Sequence, residues 1–372
     1  MRMKRTQMRL ARLLAGVLLL GCWGSAGPAP SAAAAPPATI KVMTQNLYLG
    51  ADLGLLEVAS PAQLPAALAQ FWAQVRSTNF PERAEKLADE IAAANPHLIG
   101  LPEATLWRSG PRDGVGNLNG GNATDIEYDF IQILLDKLAA RGKPYAVAAV
   151  SSDADNEFTV RTSTGLRDIR RTDRTAILMR TDLPQQLFTV ASPQAQRFNA
   201  VATRSFAGIT VSLPRSWVSV DATVRGQTIR FVATHLNADP LVQEAQGAEL
   251  LAGPLDTSGP AVLVGDLNSS ADPAASVPGH TDTATYGNLL AAGFSDAWLA
   301  VNTNGVGNTC CQSPDLRNDP SNLQTRIDYI LMRGGLSATA THLIGTSLAD
   351  RTWSGMWPSD HAGLVSLLQT VD

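Results

Sequence analysis

An α/β domain of sheets packed on each other, with helices outside, is the fold class this sequence predicts. Three observations carry it. Short runs with strand patterning recur along the chain, amphipathic helical segments are interleaved with them, and no long linker separates the two kinds. Beyond an N-terminal leader, roughly 330 residues remain, enough to bury a large core in one domain or two smaller ones. The composition, 45% hydrophobic, agrees with that.

The elements follow in order. Arg2, Lys4, Arg5, Arg9 and Arg12 precede the apolar run Leu13 to Leu20, then small residues and Ala/Pro-rich sequence. That order describes an export signal over residues 1–38, too short for a membrane span with a stop-transfer flank. Cleavage at the small residues of "SAAAAPP" makes a secreted or periplasmic protein; "LLGC", ending at Cys22, offers lipoprotein processing instead. "TIKVMTQNL", from Thr39, alternates as a strand does. "FPERAEKLADEIAAANP" places Pro81 in a first turn, repeats Ala84, Leu87, Ala88 and Ile91 at helical spacing, and stops at Asn95-Pro96. "HLIGLPE" is a short buried run ending at Glu103, and "IEYDFIQILLDKLAARG" reads as a second amphipathic helix stopped by Gly142. Strand-like runs then follow: "TAILMR", "WVSVDATV", "TIRFVATHL", "AVLVGDLN", "RIDYILMR" and "GLVSLLQT", with Arg225-Gly226 turning one hairpin. Gly110 to Asp125 and the segment from Asn302 to Asn322 are polar, glycine-bearing loops. "RTSTGLRDIRRTDR", Arg161 to Arg174, reads first as a solvated loop and alternatively as a lip that attracts anions.

Charge and cysteine content exclude several classes. The leader takes five cationic residues and no anionic one with it, so the formal charge of −4 becomes −9. Such an acidic chain is no generic polyanion binder, and a phosphate-bearing substrate must be held locally by a metal or a few arginines. Outside the leader only Cys310 and Cys311 remain. A multi-bridge scaffold is excluded, while a vicinal bridge and buried free thiols both stay open.

One pattern repeats at the strand ends. Asn46 follows the first strand and Glu103 the second; His235 ends "FVATHL"; Asp266 and Asn268 end "AVLVGDLN"; Asp328 opens "RIDYILMR" near its start; Asp360-His361 precede the last strand. Buried strands do not carry carboxylates and imidazoles for stability, because an unpaired buried charge is costly. Gathered at one rim, these groups would compensate each other and a bound cation. A hard ion such as Mg²⁺ takes a few oxygen ligands, which Glu103 with Asn46 can provide. An imidazole held by a carboxylate, His361 by Asp328, makes a general base.

In this order "TQNLYLG", "LPEATLW", "VATHLN", "GDLNSS", "RIDYIL" and "SDHAGL" resemble the endonuclease/exonuclease/phosphatase superfamily, the deoxyribonuclease I-like fold, from about Ile40 to Thr370. The resemblance implies a four-layer sandwich, two packed mixed β-sheets flanked by helices. It implies a metal at Asn46 and Glu103, and contacts to phosphate and attacking water from Asp266 and Asn268. It also implies catalysis by His361, oriented by Asp328 and neighboured by Asp360, with His235 stabilising the phosphate. Arg174 is similar to a phosphate-contacting arginine of some relatives. Pro102 departs from the pattern, standing where members usually have Gln, and removes a backbone donor beside Glu103. Asp296 reads as structural.

The function expected is therefore an exported phosphoesterase dependent on Mg²⁺, with Mn²⁺ or Ca²⁺ as alternatives. It would act as a monomer on phosphodiesters. Nucleic acid is the first substrate class and phospholipid, sphingomyelinase-like, the second; a small phosphomonoester and an inactive surface binder are the further alternatives. Trp353, Met356 and Trp357 crowd before Asp360, and Trp357 is the candidate for packing against a base or an apolar leaving group.

Overall fold

The computed structural model describes residues 37–113, 121–271, 283–303 and 305–371. The expected leader lies outside them except for Pro37 and Ala38. Two mixed sheets form the centre. In the first, the strand Thr39–Thr44 lies between Gly363–Thr370, antiparallel, and Leu98–Leu101, parallel. In the second, Gln227–His235 runs parallel to Ala261–Asp266, which pairs antiparallel with Asp328–Arg333.

Alternation in these strands sends one set of side chains between the sheets. Val42, Leu98, Ile177 and Leu364 of the first sheet meet Val218, Val220, Phe231, Val262, Val264 and Ile330 of the second, all buried. Close approach fixes one residue type. A Cβ on Gly100 would stand 2.4 Å from Val264 Cγ2, so only glycine lets the layers meet there.

Helices cover both outer faces. Phe80–Ala94 buries Ala84, Leu87, Ala88 and Ile91 against the first sheet, with its proline in the first turn and Asn95 ending it at φ 53°. The helix Pro240–Ala252 and the short helix Thr285–Ala291 put Leu250, Tyr286 and Leu289 on the second. The four-layer α/β sandwich is thus present.

Three expectations are corrected. "IEYDF" is not the first turn of a helix: Asp125–Asp129 is an edge strand, and the helix runs Phe130–Ala140. Asp129 ends the strand and caps the helix by accepting the Ile131 and Gln132 N–H groups. The arginine-rich segment is not a loop but the turn and much of the second strand of a long hairpin, Tyr145–Thr162 paired with Gly165–Arg180. Its charges had masked a two-residue alternation. The glycine-bearing segment from Gly110 begins inside a strand, Leu106–Pro111, and residues 114–120 lie outside the described set.

Candidate active site

Sheet register alone assembles half of the cluster. His235 stands opposite Asp266, and Asp266 opposite Asp328, so three chemically active side chains share one rim, made of the C-terminal ends of two strands and the N-terminal end of the antiparallel third. Gly265 at φ 136° permits this: any Cβ there would fall 1.9 Å from the Thr234 carbonyl oxygen. The other half comes from the first sheet. Past Thr44 the chain keeps bonding to its neighbour, Leu47 N–H to the Pro102 carbonyl at 3.1 Å, which lays Asn46 beside Glu103. Pro102 offers only that carbonyl, so its missing donor costs the pairing nothing.

Within the cluster His361 Nδ1 donates to Asp328 Oδ2 at 2.7 Å. Its Nε2 lies 3.8 Å from Asp266 Oδ2 and 4.0 Å from Asp360 Oδ1, too far for direct bonds and suited to an intervening water. Asp266 accepts from Asn46 Nδ2 at 3.1 Å and from the Asn268 N–H at 2.9 Å. Asn268 Nδ2 donates to the Leu236 carbonyl at 2.9 Å and lies 3.1 Å from His235 Nε2. Glu103, held at φ 55°, accepts the Leu49 N–H at 2.7 Å through Oε2, and its Oε1 faces His235 Nδ1 at 3.9 Å.

Burial strains this collection electrostatically. Desolvation and the nearby Asp328 push Asp266 up to about 7. Desolvation, with Glu103 adding, does the same to Asp360. Glu103 is raised by its burial and by Asp173. Burial alone would lower His361, but Asp328, Asp360 and Asp266 together drive it well above its ordinary range. His235 goes well below, through burial and the charges of Arg215 and His361.

Whether a cation suits these residues is answered by their unsatisfied atoms. Asp328 Oδ1 and His235 Nδ1 are buried without a hydrogen-bond partner. Ligand atoms of Asp266, Asp328 and His361 lie within 4.8 Å of one another. Oxygen-rich, anionic and short of positive charge, the set fits a hard divalent ion.

Comparison with known proteins agrees. The sequence profile described as the Endonuclease/Exonuclease/phosphatase family matches residues 43–361. The chain belongs to this family. Its members are divalent-metal-dependent phosphoesterases, and so, in general terms, is this one. No curated protein sequence matches. Among solved structures, a family protein from Leptotrichia buccalis is similar at 18% identity and TM-score 0.53, covering 88% of this chain and 98% of that one. One from Beutenbergia cavernae has 19% identity and TM-score 0.54, with 90% and 72% covered. TDP2 of D. rerio, solved with a single-strand DNA product, has 14% identity and TM-score 0.52, with 89% and 99% covered.

Two expected site residues stand elsewhere. Trp357 is completely buried with Tyr48, Leu316 and Met356, its indole N–H donating to the Asn318 carbonyl. It offers no face to a substrate and is core. Arg174 is spent on scaffold: Nε donates to the Ala104 carbonyl at 2.6 Å and Nη2 to Asp129 at 2.5 Å. Asp296 is structural as expected, pairing with Arg326 and capping the helix at Trp298. A cation that does act on the site is Arg215, whose charge bears on Glu103 and Asp266 while it binds Asp173 at 2.9 Å, and buried Arg83 acts likewise on Asp360. Arg215 directly precedes the strand Ser216–Val224, so the strand-end pattern extends to it. Cys310 and Cys311 form a vicinal disulfide, and the Cys310 backbone pairs antiparallel with that of His361.

Proposed function

We propose that the chain hydrolyses phosphodiesters by attack of a water held between His361, Asp266 and Asn268. The observation that carries this reading is the His361–Asp328 bond at 2.7 Å beside an Nε2 left free 3.8 Å from Asp266. With Nδ1–H given to Asp328, the tautomer is set and Nε2 can accept the water's proton. Glu103 and Asn46, at the edge of this anionic cluster, would hold a divalent ion, which would supply Lewis acidity to the phosphate oxygens. Asn268 and His235 face the oxygens that gain charge in the transition state.

For the substrate we propose nucleic acid first. In support, D. rerio TDP2, of the same fold, was solved with single-strand DNA product, and Arg161 remains exposed at the hairpin tip. Phospholipid is a second reading favoured by Trp353, 87% exposed on the loop that leads to Asp360. Export is proposed on the charge order of residues 1–38, and sequencing the N-terminus of protein recovered outside the cytoplasm tests it. The deciding assay is a Mg²⁺-supplemented panel of plasmid DNA, RNA, sphingomyelin and bis-(p-nitrophenyl) phosphate. Plasmid nicking with intact sphingomyelin supports the first reading, the reverse supports the second, and no turnover on any of the four removes the phosphodiesterase.

A further inference from the structure

Beside the catalytic cluster lies a cavity of about 400 Å³ that the hydrolysis does not use. Its walls come from the helix Leu64–Ser77 and the turn of helix before it, the long hairpin, and the small hairpin of Ala202–Phe206 with Ile209–Leu213. They are overwhelmingly apolar: Leu56, Leu68, Phe71, Phe158, Phe206 and Val211 among them. A cavity of this size and lining matches small-molecule sites, which add a few placed polar groups to an apolar wall.

The polar group here is Arg171. It is 5% exposed, lines the cavity, and its Nη1 has no hydrogen-bond partner. Among the described residues it forms no ion pair. Leaving a guanidinium donor buried and unpaired costs folding free energy, and a guanidinium does not escape that cost by losing its proton. The other charged liner, Glu157, has its Oε2 taken by the Ala123 N–H, while its Oε1 is buried without a hydrogen-bond partner. Asn156 and Thr159 are neutral. Arg171 is thus the one cation among the lining residues, and its Nη1 is a donor left open to a ligand.

We propose that this cavity binds an anionic amphiphile, one alkyl or acyl chain lying along the leucines and phenylalanines with its phosphate or carboxylate head on Arg171. The fit is chemical on both counts. Chain burial gains about 0.8 kcal/mol per methylene, and a planar guanidinium fork takes either head group in a paired geometry. The head would sit toward the reacting centre, since the charge of Glu103 bears on Arg171. The proposal stands on the cavity and does not depend on the hydrolytic reading.

Calorimetry with decyl phosphate, decanoate and decanol tests it on the wild type, His361→Ala, Arg171→Met and Leu68→Trp. The two anions are expected to bind the wild type and His361→Ala alike, and at least tenfold tighter than decanol. Arg171→Met is expected to bind all three as weakly as decanol. Leu68→Trp fills the cavity and loses all three. A preference for decyl phosphate assigns a phosphorylated lipid, and a preference for decanoate a fatty carboxylate. Failure of both anions to bind the wild type, or equal binding of anions and decanol, overturns the proposal, as does undiminished binding in Leu68→Trp.

Discussion

Ion-paired acidic side chains on the long hairpin and acidic side chains on the candidate rim live under opposite rules. On and beside the hairpin, Asp155 meets Arg170 at 2.5 Å, Asp173 meets Arg215 at 2.9 Å, and Asp129, on the adjoining edge strand, meets Arg174 at 2.5 Å, while Asp153 and Glu157 have no ion pair among the described residues. Burial alone would raise Asp155, but Arg170, Thr172 and Arg108 hold it below its ordinary value. On the rim Asp266, Asp360 and Glu103 are raised instead, with histidines as their only ion-pair partners among the described residues. A buried charge without a partner costs several kcal/mol, as much as burying two or three core side chains contributes at about 2 kcal/mol each. These hairpin pairs therefore offset their own charges and serve stability, whereas the rim is left anionic, which suits the cation and substrate proposed for it.

The largest effect expected breaks the rim's chemistry and leaves its fold. His361→Ala removes the base and should lower kcat on bis-(p-nitrophenyl) phosphate by about a thousandfold, in the range of general acid–base catalysis. Asp328→Asn should lose nearly as much, since it leaves His361 without its orienting carboxylate. Steady-state kinetics with a thermal melt of each variant checks both; turnover equal to the wild type in His361→Ala ends the proposed mechanism.

The next effect is on metal response. If the rim is short of positive charge, Mg²⁺ should raise the melting temperature of the wild type, and Glu103→Gln should lose most of that rise together with activity. Arg170→Ala on the hairpin should melt lower by the equivalent of about 1 kcal/mol, since it leaves half-buried Asp155 with only Thr172 and the longer Arg108 contact at 3.5 Å, yet keep the same Mg²⁺ shift and the same kcat. A lost Mg²⁺ shift in Arg170→Ala would erase the distinction between the two regions.

How much of this could be read from sequence follows the same division. The rim was legible because polar residues at the ends of apolar runs are anomalous: "VATHL", "VGDLN" and "IDYIL" announce His235, Asp266 and Asp328 without any structure. The hairpin was not, because Arg167, Asp168, Arg170, Arg171 and Asp173 resemble solvated sequence until the strand that pairs with them is in place. Trp357 and Arg174 failed for a related reason. An indole before a catalytic Asp, or an arginine beside a strand, has the same appearance whether it faces substrate or carbonyls of its own chain. Only tertiary contacts decide, here the Asn318 and Ala104 carbonyls.

A smaller effect is expected with pH, and its sign differs between regions. In metal-free protein Asp360 releases its proton near 7, while in the unfolded chain it does so near 3.8. As pH rises between those values the unfolded state ionises first, so stability falls. Asp155 behaves oppositely, since its folded value is depressed: its contribution is present above 3.8 and is lost as pH falls through the folded value. Melts from pH 3 to 8 in EDTA should show Asp360→Asn flattening the decline toward neutral pH and Asp155→Asn affecting only the acid side. If Asp360→Asn leaves the neutral decline unchanged, the strain on the rim resides in Asp266 and Glu103 instead.

The smallest effect separates holding a phosphate from holding the scaffold that holds the metal. Arg174 donates to the carbonyl of Ala104, and the Ala104 N–H donates back to the Arg174 carbonyl at 2.9 Å, so the residue after Glu103 is clamped from both sides. Arg174→Lys keeps the charge but loses the fork that reaches Ala104 and Asp129 together. Its expected signature is a few-fold higher Mg²⁺ concentration for half-maximal activity, from a less firmly held Glu103, with KM unchanged at saturating Mg²⁺. A tenfold rise in KM with an unchanged Mg²⁺ requirement would instead place Arg174 on the substrate phosphate, since a charge that only braces a turn has no route to ground-state affinity once the metal site is full.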